Sequence, residues 1–250
     1  MSPRPVIAIR SVKTGEEREV SSRLTALGYS LRWSSDGRSM LVGMAADPKI
    51  GLGTYVINLQ GDVVASMRAN TGDWCCDGQS IVTARNREKW ESLFVRNLET
   101  GQYQEIYSGP VGPFIAVSRD GRWVAFSALD INTAAGPGKP SATLKIMAVP
   151  GGEARDLLRL QYPKAFGSMA WTPAGRRLLF VRTDQEDRKT VEIWTIPTEG
   201  GEPQGTGLTL SPMSQISVHP DGRRVAYNVM KSKWETWAIE SFLPSLKKAR

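Results

Sequence analysis

Histidine and cysteine are nearly missing from this chain of 250 residues. One histidine, His219, and two cysteines, Cys75 and Cys76, are all it has. A zinc site of the usual kind needs three or four such ligands at set spacings, so no metal and no cofactor is expected. The two cysteines are adjacent, and disulfide geometry needs separated backbones. The fold is therefore not held by disulfides, which fits a reducing compartment without excluding an oxidising one. No apolar run approaches the roughly 18 residues of a membrane-spanning helix. No secretory leader is read either, because charges return soon after the short apolar stretch that follows Met1 to Pro5. The compartment is thus left open between cytoplasm and periplasm. Long polar tracts are lacking, which argues against disorder. Uninterrupted helical patterns are lacking too, since 24 glycines and 15 prolines punctuate the chain.

What is present is the balance of a globular domain, 40% hydrophobic and 23% charged. The net charge of +7 favours acidic partners in general and bears on solubility before function.

The sequence repeats itself, and the repeat decides the fold class. Five segments align: LRWSSDGRSMLVG from Leu31, GDWCCDGQSIVTA from Gly72, IAVSRDGRWVAFS from Ile115, MAWTPAGRRLLFV from Met169 and ISVHPDGRRVAYN from Ile216. Their turn residues are Asp36-Gly37, Asp77-Gly78, Asp120-Gly121, Ala174-Gly175 and Asp221-Gly222, with glycines 41, 43, 54 and 47 residues apart. Asp-Gly between two apolar runs predicts a hairpin with a tight primed turn, because its centre needs positive φ. Each first strand ends in a large apolar residue: Trp33, Trp74, Val117, Trp171 or Val218.

A second signature, strand then Gly turn then strand, follows each of the first four hairpins. Clear cases are Tyr55 to Met67, Leu93 to Ile106 and Leu144 to Leu158, with Glu192 to Gly205 as the fourth. Four strands joined in order by short turns form a β-meander, the unit of a propeller blade. Residues 7 to 20 match the second signature with no hairpin before them. After the fifth hairpin comes a third strand, Glu235 to Glu240. The expected fold is an all-β propeller of four-stranded antiparallel blades over residues 1–244, with a basic tail at 245–250. It has five hairpin repeats and an N-terminal half blade. It is either a five-bladed ring with a spare strand or part of a larger, six-bladed type.

With these residues in view, the W-S-x-D-G-R and V-H-P-D-G-R pattern resembles the TolB-like, WD-repeat-like β-propeller over essentially the whole chain. The ending from Trp234 to Pro244 is similar to the C-terminal propellers of bacterial signalling proteins, where a kinase or winged-helix domain precedes them. Ala174 departs from the pattern by replacing the turn Asp. The resemblance implies a binding scaffold, because propellers host many functions on one architecture.

Candidate chemistry is sparse. His219 stands in the column of Ser34, Cys75, Ser118 and Thr172, which makes it a repeat position before it is a catalytic base. Cys75 and Cys76 lack C-x-x-C spacing, so a redox role is the minor reading. Turn aspartates serve their own backbone and lie a blade width apart, too far to share an ion. Trp33, Trp74 and Trp171 are in register and are expected to pack between blades. Arg38, Arg122, Arg176 and Arg223 follow the turns and would make one rim basic. Yet only Trp123 adjoins one of them, so nucleic acid is a weak candidate. Asp73 is a lone charge among apolar first strands.

The loops between second and third strands share the opposite face: 44–54, 85–91, 129–142 and 183–190. The longest holds Asp130, Asn132 and Lys139 and is the candidate binding loop. A G-x-S-x-G elbow is missing, so no hydrolase motif is read in the chain itself. A protein partner is expected, with a small molecule as second candidate. The alternatives are a propeller attached to a hydrolase or peptidase, and a basic nucleic-acid-binding propeller.

Overall fold

The structure is a computed structural model. It describes residues 6–11, 13–20, 23–25, 30–75, 77–86, 91–130, 140–211 and 213–229. Among them the regular elements are strands alone. A two-stranded sheet opens the chain, β1 (Ile7–Arg10) and β2 (Glu17–Val20). Four antiparallel four-stranded meanders follow. The first is β3 (Ser30–Trp33), β4 (Ser39–Asp47), β5 (Gly51–Asn58) and β6 (Val63–Met67). The second is β7 (Ala69–Trp74), β8 (Ser80–Asn86), β9 (Glu91–Asn97) and β10 (Tyr103–Tyr107). The third is β11 (Val111–Val117), β12 (Trp123–Asp130), β13 (Ser141–Ala148) and β14 (Arg155–Gln161). The fourth is β15 (Lys164–Trp171), β16 (Arg177–Asp184), β17 (Val191–Pro197) and β18 (Gln204–Leu210). A last hairpin joins β19 (Met213–Val218) to β20 (Val225–Val229). The proposed third strand at 235–240 and the tail at 245–250 lie outside the described residues.

The core lies between blades. Middle strands are buried on both faces, so they read as nearly continuous apolar runs. Leu41 and Val56 of the first blade meet Trp74 and Ile81 of the second. Val82 and Leu93 meet Ile115 and Phe126. Leu144 and Ile146 meet Met169 and Phe180. Val181 and Ile193 meet Ile216 of the last hairpin. On the leading side, Ile7 and Val20 cover Met40, Val42 and Tyr55 of the first blade.

The hairpin turns are longer than a two-residue primed turn. Ser34 N–H donates to Ser39 O, and Gly37 N–H donates to Ser34 O, which leaves residues 35–38 in the loop. The same two bonds recur from Cys75, Ser118, Thr172 and His219. Only the glycine takes positive φ, from 64° to 70° at Gly37, Gly78, Gly121, Gly175 and Gly222. The preceding aspartate keeps negative φ, because it sits inside an ordinary turn that the glycine then closes.

The loops of the opposite face are shorter than the sequence suggests. Met44 to Asp47 continue β4, and Gly51 to Thr54 belong to β5, leaving only residues 48–50 between them. Pairing of Ala45 with Gly53 and Asp47 with Gly51 carries the ladder to its end. Asp130 is likewise the last residue of β12, opposite Ser141, so the irregular stretch there is 131–140. Thr183 and Asp184 end β16, leaving 185–190.

Candidate functional site

Each blade contributes its first strand to the centre. The inner edge of that strand has no strand partner, so its backbone groups open inward. β3, β7, β11, β15 and β19 together enclose a cavity of about 590 Å³. It reaches the Asp-Gly turns, since Ser34, Arg119, Pro173 and Pro220 also line it.

One repeat column faces this space from all five strands: Arg32, Asp73, Ala116, Ala170 and Ser217. Three of the five are small and leave a hollow. The other two carry opposite charge. Asp73 Oδ1 accepts the Trp74 N–H at 3.0 Å, and Oδ2 accepts the Val117 N–H of the next blade at 2.9 Å. Burial raises its pKa above the usual carboxylate value, while Arg32 and the two N–H donors pull it back. Arg32 Nη1 donates to Gln215 Oε1 at 2.7 Å, which links β3 to β19 across the ring. Its Nε stands 4.0 Å from Asp73 Oδ1. Neither Arg32 nor Gln215 stands out in the sequence; the signal that marks Arg32 is its place in a column otherwise holding Asp, Ala, Ala and Ser.

The turn residues surround the mouth. Ser34 Oγ donates to Asp36 Oδ1 at 2.6 Å, and Ser118 Oγ donates to Asp120 Oδ1 at 2.5 Å. Asp77 Oδ1 accepts the Ser80 N–H at 2.8 Å, and Asp221 Oδ1 accepts the Arg223 N–H at 2.9 Å. These donors hold all four carboxyls below their usual range, Asp221 at about 2. At Ala174 the carboxylate is missing, and Thr172 Oγ1 still accepts the Arg177 N–H at 3.1 Å. His219 Nδ1 takes the Asp221 N–H at 3.1 Å, within the same turn. Arg122 pairs with Asp120 at 2.9 Å, whereas Arg38, Arg176 and Arg223 are exposed.

The three tryptophans in register do not behave alike. Trp74 Nε1 donates to Arg32 O of the preceding blade at 3.2 Å. Trp171 Nε1 donates to Ala116 O of its preceding blade at 2.9 Å. Both are 8% exposed. Trp33 is 45% exposed, because the strand ahead of it in the ring is not packed against it. Cys75 is buried, and Cys76 lies outside the described residues.

On the opposite face, Asp130 Oδ2 accepts Arg159 Nη2 at 2.7 Å. Arg159 Nη2 also reaches Ser141 Oγ at 2.8 Å, so the foot of the 131–139 stretch is pinned. Asn132 and Lys139 lie outside the described residues. Among the described residues, no three His, Cys, Asp or Glu side chains are grouped closely enough to hold a metal.

No protein-family model and no curated protein matches the chain. Solved structures do. A putative TolB from Agrobacterium tumefaciens superposes with a TM-score of 0.68 at 16% identity, covering 90% of this chain and 84% of that one. The nidogen/laminin complex gives 0.60 at 11%, covering 86% and 76%. An oligogalacturonate lyase in complex with manganese gives 0.52 at 14%, covering 88% and 76%. At such identities the likeness concerns architecture, which a binding protein and a lyase share here. On repeat, meander and superposition together, the chain has the TolB-like β-propeller fold.

Proposed function

We propose that this chain is a non-enzymatic propeller scaffold that binds a protein partner through the face opposite the Asp-Gly turns, as the propeller part of a bacterial signalling or envelope protein. The observation that carries the reading is the pinned foot of the 131–139 stretch. This is the place where the chain departs furthest from its repeat, and it leaves a rigid blade between Asp130 and Ser141 held by Arg159. A long loop on a fixed base is the usual form of a binding element, because the scaffold lowers the ordering cost. The neighbouring blade presents the paired charges Lys164–Asp184 at 2.7 Å and Arg182–Glu192 at 2.5 Å on the same side.

The test replaces residues 131–140 with a two-residue turn and compares cross-linked partners of the parent and the variant in the native host. The reading expects one or more partners to vanish while the melting temperature stays within a few degrees. An unchanged partner set with an intact fold overturns it.

A further inference from the structure

We propose that the central cavity is a binding site for a small zwitterion of the α-amino-acid type, its carboxylate on Arg32 and its ammonium on Asp73. The site lies away from the 131–139 stretch and goes beyond the scaffold reading, so the two stand or fall separately.

Three observations carry it. First, the two charges do not satisfy each other. At 4.0 Å the Arg32 Nε and Asp73 Oδ1 are past hydrogen-bond range. The one short bond of the guanidinium goes to the neutral amide of Gln215. Both side chains are largely buried, at 23% and 16% exposure. A buried charge with unused hydrogen-bonding capacity is costly until something meets it. Asp73 spends one lone pair of each oxygen on a backbone N–H, which leaves acceptor capacity on both oxygens.

Second, the repeat makes room beside them. The other three positions of the column are Ala116, Ala170 and Ser217. A channel whose only task was to be filled would carry larger side chains in this column. Here the small residues face the charged pair across a space of about 590 Å³.

Third, the charges select the class. Arg32 and Asp73 sum to zero, so a simple anion meets the carboxylate and a simple cation meets the guanidinium. A molecule with both signs on neighbouring atoms meets both. In an α-amino acid one carbon separates the two groups, which suits charges about one ion-pair length apart. Val117 and Val218 line the same cavity and offer an apolar wall to its side chain.

The more ordinary role for the pair is a staple between β3 and β7. That role predicts lost stability on mutation and no ligand. The full chain is titrated by calorimetry with L-leucine, L-phenylalanine and L-glutamine in turn. For each that binds, the amine lacking the carboxylate and the acid lacking the ammonium are titrated next. At least one amino acid is expected to bind saturably, with both half-molecules at least about tenfold weaker. Arg32→Gln and Asp73→Asn are each expected to weaken binding at least about tenfold. Ser217→Leu fills the hollow without touching either charge, and keeps the test valid if the charge variants fail to fold. It is expected to abolish binding at an unchanged melting temperature. No saturable heat from any of the three amino acids overturns the proposal. So does a half-molecule that binds as tightly as its parent, or binding that survives Ser217→Leu.

Discussion

At the residue scale, the turns act as small electrostatic devices. Asp221 and Asp184 are both held at about 2, against a usual value of 3.8. For Asp221 the main cause is the Arg223 N–H. For Asp184 it is the Lys164 ammonium, helped by the Glu186 and Asp187 N–H groups. A carboxyl with a lowered folded pKa binds its proton more weakly folded than unfolded. Its stabilisation is therefore complete above pH 4 or so and disappears as pH falls towards the folded value of about 2. The double variant Asp184→Asn, Asp221→Asn is expected to melt lower than the parent at pH 5. The two curves should converge near pH 2. Melting temperature against pH checks this, and parallel curves through that window would mean the turn carboxylates carry none of the acid sensitivity.

At the scale of the element, the hairpins and meanders are legible in the sequence because each rests on local chemistry. Asp-Gly marks the hairpin, Gly marks the outer turn, and apolar runs mark strands covered on two faces. What the sequence could not show is what each side chain meets across a blade boundary. Trp33, Trp74 and Trp171 look equivalent in one dimension, yet only the latter two find the preceding blade's carbonyl. Loop lengths were also misread at Met44 to Thr54, since strand ends without apolar residues look like loop until the ladder is seen to continue. The central site was half legible: Asp73 is conspicuous as a charge, but its partners Arg32 and Gln215 come from 41 residues before and 142 residues after it. The tryptophans give a direct check. Trp171→Phe removes the donor to a buried carbonyl and is expected to cost about 1–3 kcal/mol. Trp33→Phe is expected to cost less than about 0.5 kcal/mol, as for a surface substitution. Chemical denaturation of both variants measures the difference, and equal losses would mean that Trp33 is buried in solution.

At the scale of the whole molecule, the question is how the two ends share the ring. β1 and β2 cover the outer part of the first blade's leading face. β19 packs on the fourth blade through Ile216, while β20 is left open, with Tyr227 49% exposed. Leu208 on β18 is 52% exposed beside it. In each complete blade the second strand is flanked by a third, as β16 is by β17 with Phe180 opposite Trp194. Glu235-Thr236-Trp237-Ala238-Ile239 repeats the Glu192-Ile193-Trp194-Thr195-Ile196 of β17 at nearly the same distance from its hairpin. The repeat therefore assigns that segment the third place in the last blade. A strand there would pair with the free edge of β20 and protect its outward N–H groups from exchange. Hydrogen exchange of the full chain is expected to show β20 protected, and a chain ending at residue 229 to lose that protection while β11 to β14 are unchanged. The N-terminal pair would then belong to a separate blade, because β1 carries a third-strand signature of its own and cannot hold the same position. Equal exchange in the two chains would instead give the place beside β20 to β1, and the ring would close at five blades.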